Sequence, residues 1–255
     1  MNRLTATDRL RLAIAIVILV GVAGAGGLWF LFFRPSGPAP VTIATIGPTS
    51  GATSPVPGLT LDPSATAGAP TTGLDGTWNV DTSVGSFSDF SDSFVGYRVQ
   101  EELANIGAQT AVGRTPSVSG SLTIQGTTIT AVEIQADLST LKSDDDRRDG
   151  QLRQQALETN QFPTATFSLT QPIALGTLPA EGQVVQVTAT GNLTLHGQTR
   201  SVQIPLQAKL QGGVIVVTGS IEIQFADYGI SKPQSFIVLS VADHGTMELQ
   251  LFFSR

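Results

Sequence analysis

The sequence contains few side chains that could carry out acid–base, nucleophilic or metal chemistry. Cysteine is absent and histidine occurs only at His196 and His244, which excludes disulfides, thiolate nucleophiles and cysteine-bound metals. Both histidines stand beside a glycine in short polar segments that are typical of turns. Asp227 and Tyr228 form a polar pair, but no nucleophile or base accompanies them. We therefore predict a protein without a catalytic site and without a cofactor.

Charged side chains concentrate in the segment 141–158. Aspartates in this segment offer the oxygen ligands that Ca²⁺ prefers. They are Asp144, Asp145, Asp146 and Asp149. Their spacing lacks the alternation and the closing glutamate of a calcium-binding EF-hand loop. We interpret the run as a solvated acidic loop and predict no metal site.

The charge balance of the chain is acidic. Fourteen Lys and Arg against 20 Asp and Glu give a net charge of −6. A nucleic-acid-binding protein needs a basic stripe to contact phosphates, and the sequence has none. We predict no nucleic-acid partner.

A membrane-spanning helix is predicted near the N-terminus. Residues 12–33 form an uncharged, mostly apolar run of 22 residues; as a helix it would cover about 33 Å and cross a hydrocarbon core of about 30 Å. Arg3, Arg9 and Arg11 precede the run, so the positive-inside rule places residues 1–11 in the cytoplasm. The alternative is a cleaved signal peptide, but its apolar region is shorter, about 7–15 residues. We predict a single-pass protein of the cell membrane whose remaining chain is extracytoplasmic.

Residues 34–73 are predicted to be a disordered linker. The segment holds eight of the chain's 14 prolines and only two charged residues, Arg34 and Asp62. It has no apolar periodicity, so it cannot bury enough surface to fold alone. A coil of this length would average about 35 Å end to end. It would serve as a spacer or as a passive connection to the domain at 74–255.

Alternation of apolar and polar residues dominates that domain, and a period of two is typical of strands with one buried face. The apolar faces are Val132, Ile134, Ala136 and Leu138; Val185, Val187, Ala189, Gly191, Leu193 and Leu195; Val202, Ile204, Leu206, Ala208 and Leu210; Ile215, Val217, Gly219, Ile221, Ile223 and Phe225; and Met247, Leu249, Leu251 and Phe253. Glycine-containing turn signals stand at 125–126, 196–198, 211–213 and 243–245. The pattern predicts an all-β domain of antiparallel hairpins.

The length of these strands favours an up-and-down barrel or a large sandwich, because several exceed the usual five or six residues. Gly191 and Gly219 interrupt the apolar faces and would permit the bends by which a barrel closes. A barrel lined in this way could enclose an apolar ligand or pack as a dry core, and the pattern does not distinguish the two. Within 141–158, Leu152, Ala156 and Leu157 predict a short helix inserted between strands that covers one end of the barrel.

Five short motifs occur together within 74–255. They are Gly76-Thr77-Trp78-Asn79-Val80-Asp81, Arg148-Asp149 with Leu152-Arg153, Phe162-Pro163-Thr164-Ala165-Thr166-Phe167, the run from Thr190 to Arg200, and Asp227-Tyr228-Gly229-Ile230. In order and spacing the domain resembles the YceI-like family of secreted or membrane-tethered, lipocalin-like barrels that are associated with polyisoprenoids and other long-chain lipids. Two stretches depart from the family's pattern: 84–97 is more elaborate than the short strand expected there, and 144–146 replaces a Thr- or Asn-rich turn.

The resemblance implies a barrel whose interior receives a long apolar chain such as a polyisoprenoid. The candidate lining residues are Val132, Ile134, Phe167, Leu169, Val187, Leu193, Ile204, Leu206, Val217, Ile221, Leu249 and Leu251. The polar head of the ligand would lie at a mouth of the barrel, and a phosphate there would find Arg147, Arg148 or Arg153, because arginine binds phosphate through two hydrogen bonds. Alternatively, Arg148 and Asp149 form an internal ion pair that fixes the loop onto the barrel.

Three hypotheses for the function are therefore compatible with the sequence. The first is a membrane-anchored barrel that stores, shields or transfers a long apolar lipid outside the cytoplasmic membrane, and it predicts a continuous apolar cavity. The second is a structural or interaction module displayed on a stalk, which predicts a packed interior. The third, a lipid hydrolase or isomerase, would need a polar constellation at the cavity mouth that the sequence does not provide.

Overall fold

The computed structural model of the chain describes residues 38–43, 73–104, 107–233 and 238–255. The predicted membrane span at 12–33 and most of the predicted linker lie outside these ranges. Within them, no helix is long and apolar enough to cross a membrane.

The described chain is built from twelve strands with one short helical insertion. The strands are β1 (Gly76–Val80), β2 (Phe94–Leu103), β3 (Gly107–Thr115), β4 (Val118–Gln125), β5 (Thr128–Asp137), β6 (Thr164–Leu169), β7 (Ile173–Ala174), β8 (Val185–Leu195), β9 (Gln198–Gln211), β10 (Val214–Gln224), β11 (Val238–Val241) and β12 (His244–Ser254). Their alternating burial follows from the period-two pattern, because successive side chains of a strand point to opposite faces.

Eight of the strands close into a barrel. Antiparallel pairing runs through β1, β4, β5, β6, β8, β9, β10 and β12, and β12 pairs with β1 to complete the circuit through Asn79 with Ser254 and Val80 with Phe253. The other half of the same edge of β12 pairs with β2, from Thr246 with Arg98 to Gln250 with Phe94. The predicted all-β antiparallel barrel is confirmed, and closure leaves no free edge along this circuit.

Three of the four predicted turns join neighbouring strands as hairpins: β4 to β5, β8 to β9 and β9 to β10. The fourth prediction, at 243–245, is wrong in detail. Strand β12 already begins at His244, and β11 pairs with β2 instead of folding back on β12. The reason is that both edges of β12 are occupied, one by β10 and the other by β1 and β2.

The helical insertion between β5 and β6 consists of α1 (Asp146–Gln151) and a π-helical turn over Leu152–Ala156. Asp145 caps α1 by accepting hydrogen bonds from two backbone N–H groups of the first turn, at 2.8 and 3.2 Å. Leu157, just after the insertion, packs with two buried leucines that follow β5. The predicted short helix is confirmed, and its apolar residues close onto one end of the barrel.

The stretch at 84–97, which departs from the family pattern, forms part of a long loop over 81–93 and the start of β2. The loop lies on the outer surface of β12. The amide nitrogen of Gln250 donates to the carbonyl oxygens of Asp92 at 2.7 Å and Phe90 at 3.2 Å. As a result, Gln250 is 4% exposed although it points away from the barrel interior.

Candidate functional site

The interior of the barrel contains an apolar cavity of about 510 Å³. Its walls come from every strand except β1, together with residues of the helical insertion. This volume lies within the roughly 300–1,000 Å³ range of small-molecule sites. The alternatives left open by the sequence, a dry core or a cavity, are thereby resolved in favour of a cavity.

Ten of the twelve predicted interior residues line this cavity. They are Val132, Ile134, Phe167, Val187, Leu193, Ile204, Leu206, Val217, Leu249 and Leu251. Leu169 and Ile221 do not line it; they pack against the buried cluster around Phe167 and Ala189.

Gly191 and Gly219, which the sequence predicted to permit bends of the strands, lie where neighbouring groups leave no space for a side chain. A Cβ atom on Gly191 would lie 2.4 Å from the carbonyl oxygen of Ser168 and 2.5 Å from the ring of Phe167. A Cβ atom on Gly219 would lie 2.4 Å from Leu206. Both glycines therefore leave room for large neighbouring side chains that line the cavity.

Sequence reasoning missed the contribution of β2 and β3 to the lining. Val95, Tyr97, Val99 and Leu103 of β2 face the cavity together with Glu101. These positions do alternate with period two, so the signal was present. The charged residue on the inward face obscured it, because an apolar stripe was expected to be uninterrupted.

Arg148 lies at the end of the cavity that α1 covers, and carboxylates hold it on two sides. Its guanidinium contacts Glu101 of β2 at 2.7 Å and Asp144 at 2.5 Å. Burial would lower the pKa of Arg148, but hydrogen bonding and charge attraction from Glu101 and Asp144 outweigh burial and raise it. Arg148 thus ties α1 to the barrel wall.

The predicted pairing of Arg148 with Asp149 is wrong, although the predicted fixing of the loop is correct. Asp149 is buried and accepts hydrogen bonds from the backbone N–H of Ser143 at 2.9 Å and from its hydroxyl at 2.7 Å. Adjacent residues of a helix point in directions about 100° apart, so Arg148 and Asp149 cannot face each other. Arg148 instead pairs with Asp144 and with Glu101 of β2, which lies 47 residues away in the sequence.

The other two predicted head-group arginines differ in position. Arg147 is exposed at the rim and lines the cavity, and within the described residues no carboxylate lies within ion-pair distance of its guanidinium. Arg153 does not line the cavity; its guanidinium donates to the carbonyl oxygen of Leu141 at 3.3 Å. Of the three, Arg147 has the cation most available to a ligand.

Tyr97 brings a polar atom to the same end of the cavity. Its ring crosses Gly113 of β3, where a Cβ atom would lie 2.3 Å from the ring. Its hydroxyl is buried near Ser143 and Arg148, and no group of the described residues meets it at normal hydrogen-bond geometry. Burial is the main cause of a raised Tyr97 pKa, so the hydroxyl stays a neutral donor.

Comparison with known proteins identifies the family. The model of the YceI-like domain matches residues 78–253, which is more than half of the chain. The chain belongs to the YceI-like family. Among curated proteins, no match is found.

The chain is also similar to solved structures at low sequence identity. A polyisoprenoid binding domain from Saccharophagus degradans is 18% identical with a TM-score of 0.52, over 70% of this chain and 97% of that one. BcnA from Burkholderia cenocepacia is 19% identical with a TM-score of 0.47, over 62% and 95% of the two chains. A Campylobacter jejuni YCEI protein is 14% identical with a TM-score of 0.44, over 55% and 82%.

His196 of this YceI-like domain lies in the turn between β8 and β9, as predicted, but it is buried there. Its Nδ1 lies 3.0 Å from the carbonyl oxygen of Tyr228 and its Nε2 lies 3.0 Å from a carboxylate oxygen of Glu158. The ring also meets Phe162 edge-on, with centroids 4.5 Å apart. His196 therefore joins three segments at the covered end of the barrel and does not face the cavity.

His244 and the acidic residues form no metal centre among the described residues, where no group of three or more His, Asp or Glu side chains is arranged around a common point. His244 is exposed and its Nδ1 lies 2.8 Å from Asp243. The hydrogen bond that the His244 ring donates to the carboxylate of Asp243 raises the pKa of His244. This is a surface pair.

Proposed function

We propose that this YceI-like protein binds a long apolar lipid of the polyisoprenoid type inside its barrel, for storage, shielding or transfer. The observation that carries the proposal is the apolar cavity of about 510 Å³ inside the barrel. Burial of apolar surface contributes about 25 cal/mol per Å², so a long hydrocarbon chain gains several kcal/mol by leaving water for this interior. The fold shared with a polyisoprenoid binding domain adds support.

The polar end of the ligand is proposed to lie at the end covered by α1. An anionic head such as a phosphate would be met by the free guanidinium of Arg147 at the rim. Arg148 is the second candidate, but a phosphate would have to displace Glu101 or Asp144 from it. Arg153 is the least suited of the three because it points to the Leu141 carbonyl.

Binding, without catalysis, is the proposed activity. Arg148, Glu101, Asp149 and Tyr97 are the polar groups gathered at the covered end, and the first three are held in mutual or local hydrogen bonds. A hydrolase would require a nucleophile within hydrogen-bond reach of a base, and His196 is instead engaged with Glu158 and a carbonyl group.

The chain is proposed to be anchored in the cell membrane by residues 12–33, with residues 1–11 in the cytoplasm and the barrel outside. The uncharged run of 22 residues and the preceding arginines support this topology. An anchored barrel would remain near the bilayer from which an apolar ligand can be drawn.

The lipid proposal is tested on the full chain purified in detergent. Native mass spectrometry followed by organic extraction is expected to yield one long-chain species bound stoichiometrically. The variant Val187→Trp places an indole in the cavity and should lose that species, whereas Gln186→Trp, on the outer face of the same strand, should retain it. Circular dichroism checks that both variants fold.

A ligand-free mass would overturn the lipid proposal if it stays unchanged after incubation with polyprenyl phosphates, quinones and fatty amides. That result would favour the structural module displayed on a stalk. Retention of lipid by Val187→Trp would also contradict binding inside the barrel.

A further inference from the structure

The outer face of β12 carries a buried charge that the lipid cavity does not explain. Met247 and Leu249 line the cavity, so Glu248 between them points outward, where solvent would be expected. Glu248 is nevertheless only 2% exposed. A buried carboxylate needs charged or hydrogen-bonding partners to offset its desolvation.

Two arginines from neighbouring strands supply those partners. Arg98 of β2 donates to one oxygen of Glu248 at 2.7 Å, and Arg114 of β3 donates to the other at 2.8 Å. Arg114 is 3% exposed, and its guanidinium lies over the rings of Phe90 and Phe94 with centroid distances of 4.6 and 4.3 Å. The cluster carries one negative and two positive charges. Because a guanidinium has five N–H donors, each arginine keeps donors for an acceptor other than Glu248.

One further donor of each arginine is used by the chain segment 38–43. Arg98 donates to the carbonyl oxygen of Pro38 at 2.5 Å, and Arg114 donates to the carbonyl oxygen of Ala39 at 3.1 Å. Ile43, four residues after Ala39, is 4% exposed. The segment therefore contacts the barrel wall through two consecutive backbone carbonyls, and its other end carries a buried aliphatic side chain.

The sequence of residues 38–43 is well suited to accept hydrogen bonds from two arginine side chains. Pro38 and Pro40 lack backbone N–H groups, and proline favours an extended backbone with outward carbonyls. Two guanidinium groups that present only donors complement a peptide that presents mainly acceptors at this end. An extended proline-containing peptide also loses little conformational entropy on docking.

We propose that Arg98, Arg114 and Glu248 form a peptide-binding site on the outer wall of the barrel, and that residues 38–43 of the same chain occupy it as a strap. The predicted tether of 34–73 is then interrupted by a docked segment at 38–43. This docking does not depend on the proposed membrane anchoring.

The strap is expected to dock in its own chain and not in a second copy. In the sequence, 29 residues, 44–72, separate the strap from the domain that begins with β1, and a covalent connection of that length gives effective concentrations in the millimolar range. The entropy cost of closing a loop rises only slowly with its length. At ordinary protein concentrations, a strap in the same chain therefore has the advantage over one from a neighbour.

The absence of cysteine from the chain makes thiol labelling a direct test. Two single-cysteine variants of the full chain in detergent, Ile43→Cys and Ala39→Cys, place a thiol at a buried and at an exposed position of the strap. We expect a maleimide to label the Ile43→Cys thiol about tenfold more slowly, or slower still, because labelling requires local opening. Equal labelling rates at the two positions would overturn the strap.

Removal of a wall contact should release the buried thiol. In the Ile43→Cys background, Arg98→Ala should raise the labelling rate towards that of Ala39→Cys. Arg200→Ala, which removes an exposed arginine from β9, should leave the rate unchanged. Should Arg98→Ala fail to fold, Pro38→Gly in the same background loosens the strap from its own side and is expected to raise the rate too. A thiol that stays protected in both folded variants contradicts the site.

A dilution series and liposome flotation separate the remaining outcomes. Protection that disappears on dilution would mean that a second copy supplies the strap, which overturns docking within one chain. Flotation of the full chain with liposomes tests the membrane anchor independently. A protected thiol in a chain that does not float would retain the strap and reject the anchor.

Discussion

Asp92 is a carboxyl group whose buried position makes the stability of the barrel depend on pH. It is 4% exposed, and one of its oxygens is buried with no hydrogen-bond partner among the described residues. Desolvation raises its pKa from 3.8 to about 6; the nearby Asp89 adds to the rise, and the backbone N–H and Arg114 oppose it. Between pH 3.8 and about 6 the folded protein therefore keeps a proton on Asp92 that the unfolded chain releases.

Because the pKa of Asp92 is raised in the folded state, the free energy of unfolding falls as the pH rises. Below pH 3.8 both states are protonated and no penalty exists, whereas between 3.8 and about 6 the unfolded state gains the advantage. We expect Asp92→Asn to stabilise the protein by about 1–3 kcal/mol near neutral pH and by little at about pH 4. Urea unfolding at both pH values measures this difference. An equal effect of the substitution at the two pH values would contradict the buried, protonated carboxyl.

Individual residues also mark the limit of what the sequence could predict at the covered end. The sequence predicts that the arginines of 141–158 lie at a mouth of the barrel, and in the structure Arg147 and Arg148 line the cavity whereas Arg153 does not. The engagement of Arg148 by Glu101 was not predictable, since the two are 47 residues apart. Only the register between the insertion and β2 brings them together, and a single sequence carries no signal of that register.

At the level of elements, alternation was sufficient to predict the long strands but not the short ones. Strands β5, β8, β9, β10 and β12 each place apolar residues on the face that points into the barrel and mainly polar residues on the other, so their period of two is visible in the sequence. Strand β11 has four residues and pairs only with β2. So short a segment shows no period, and its pairing depends on which edges other strands leave open.

Two glycines of contrasting environment give a test of how the elements pack. Gly191→Ala would place a methyl group 2.4 Å from the Ser168 carbonyl oxygen and 2.5 Å from the Phe167 ring. We expect it to separate β6 from β8 and to lower the free energy of unfolding by about 1–3 kcal/mol. Gly150→Ala, in α1 with open space around the new methyl group, should raise it by about 0.5–1 kcal/mol. Denaturant unfolding of both variants measures the contrast, and a neutral Gly191→Ala would contradict the close packing.

At the scale of the whole molecule, the same residues that specify the barrel also specify its cavity. An inward face of Val, Ile, Leu and Ala gives a barrel its apolar interior, but the few large aromatic side chains there leave part of the interior unfilled. An unfilled apolar interior forgoes dispersion contacts that a packed core would make. A ligand that fills the cavity should therefore stabilise the fold as a whole.

This stabilisation can be measured as a thermal shift. Full chain stripped of lipid and then supplied with a polyprenol at about 100 times its Kd should gain about 2.7 kcal/mol, and a domain of this size should then melt about 5–10 °C higher. Gln186→Trp should show the same shift, and Val187→Trp, with its cavity blocked, should show none. An equal shift in Val187→Trp would mean that the lipid stabilises the protein from its outer surface. The barrel interior would then be a packing defect and not a binding site.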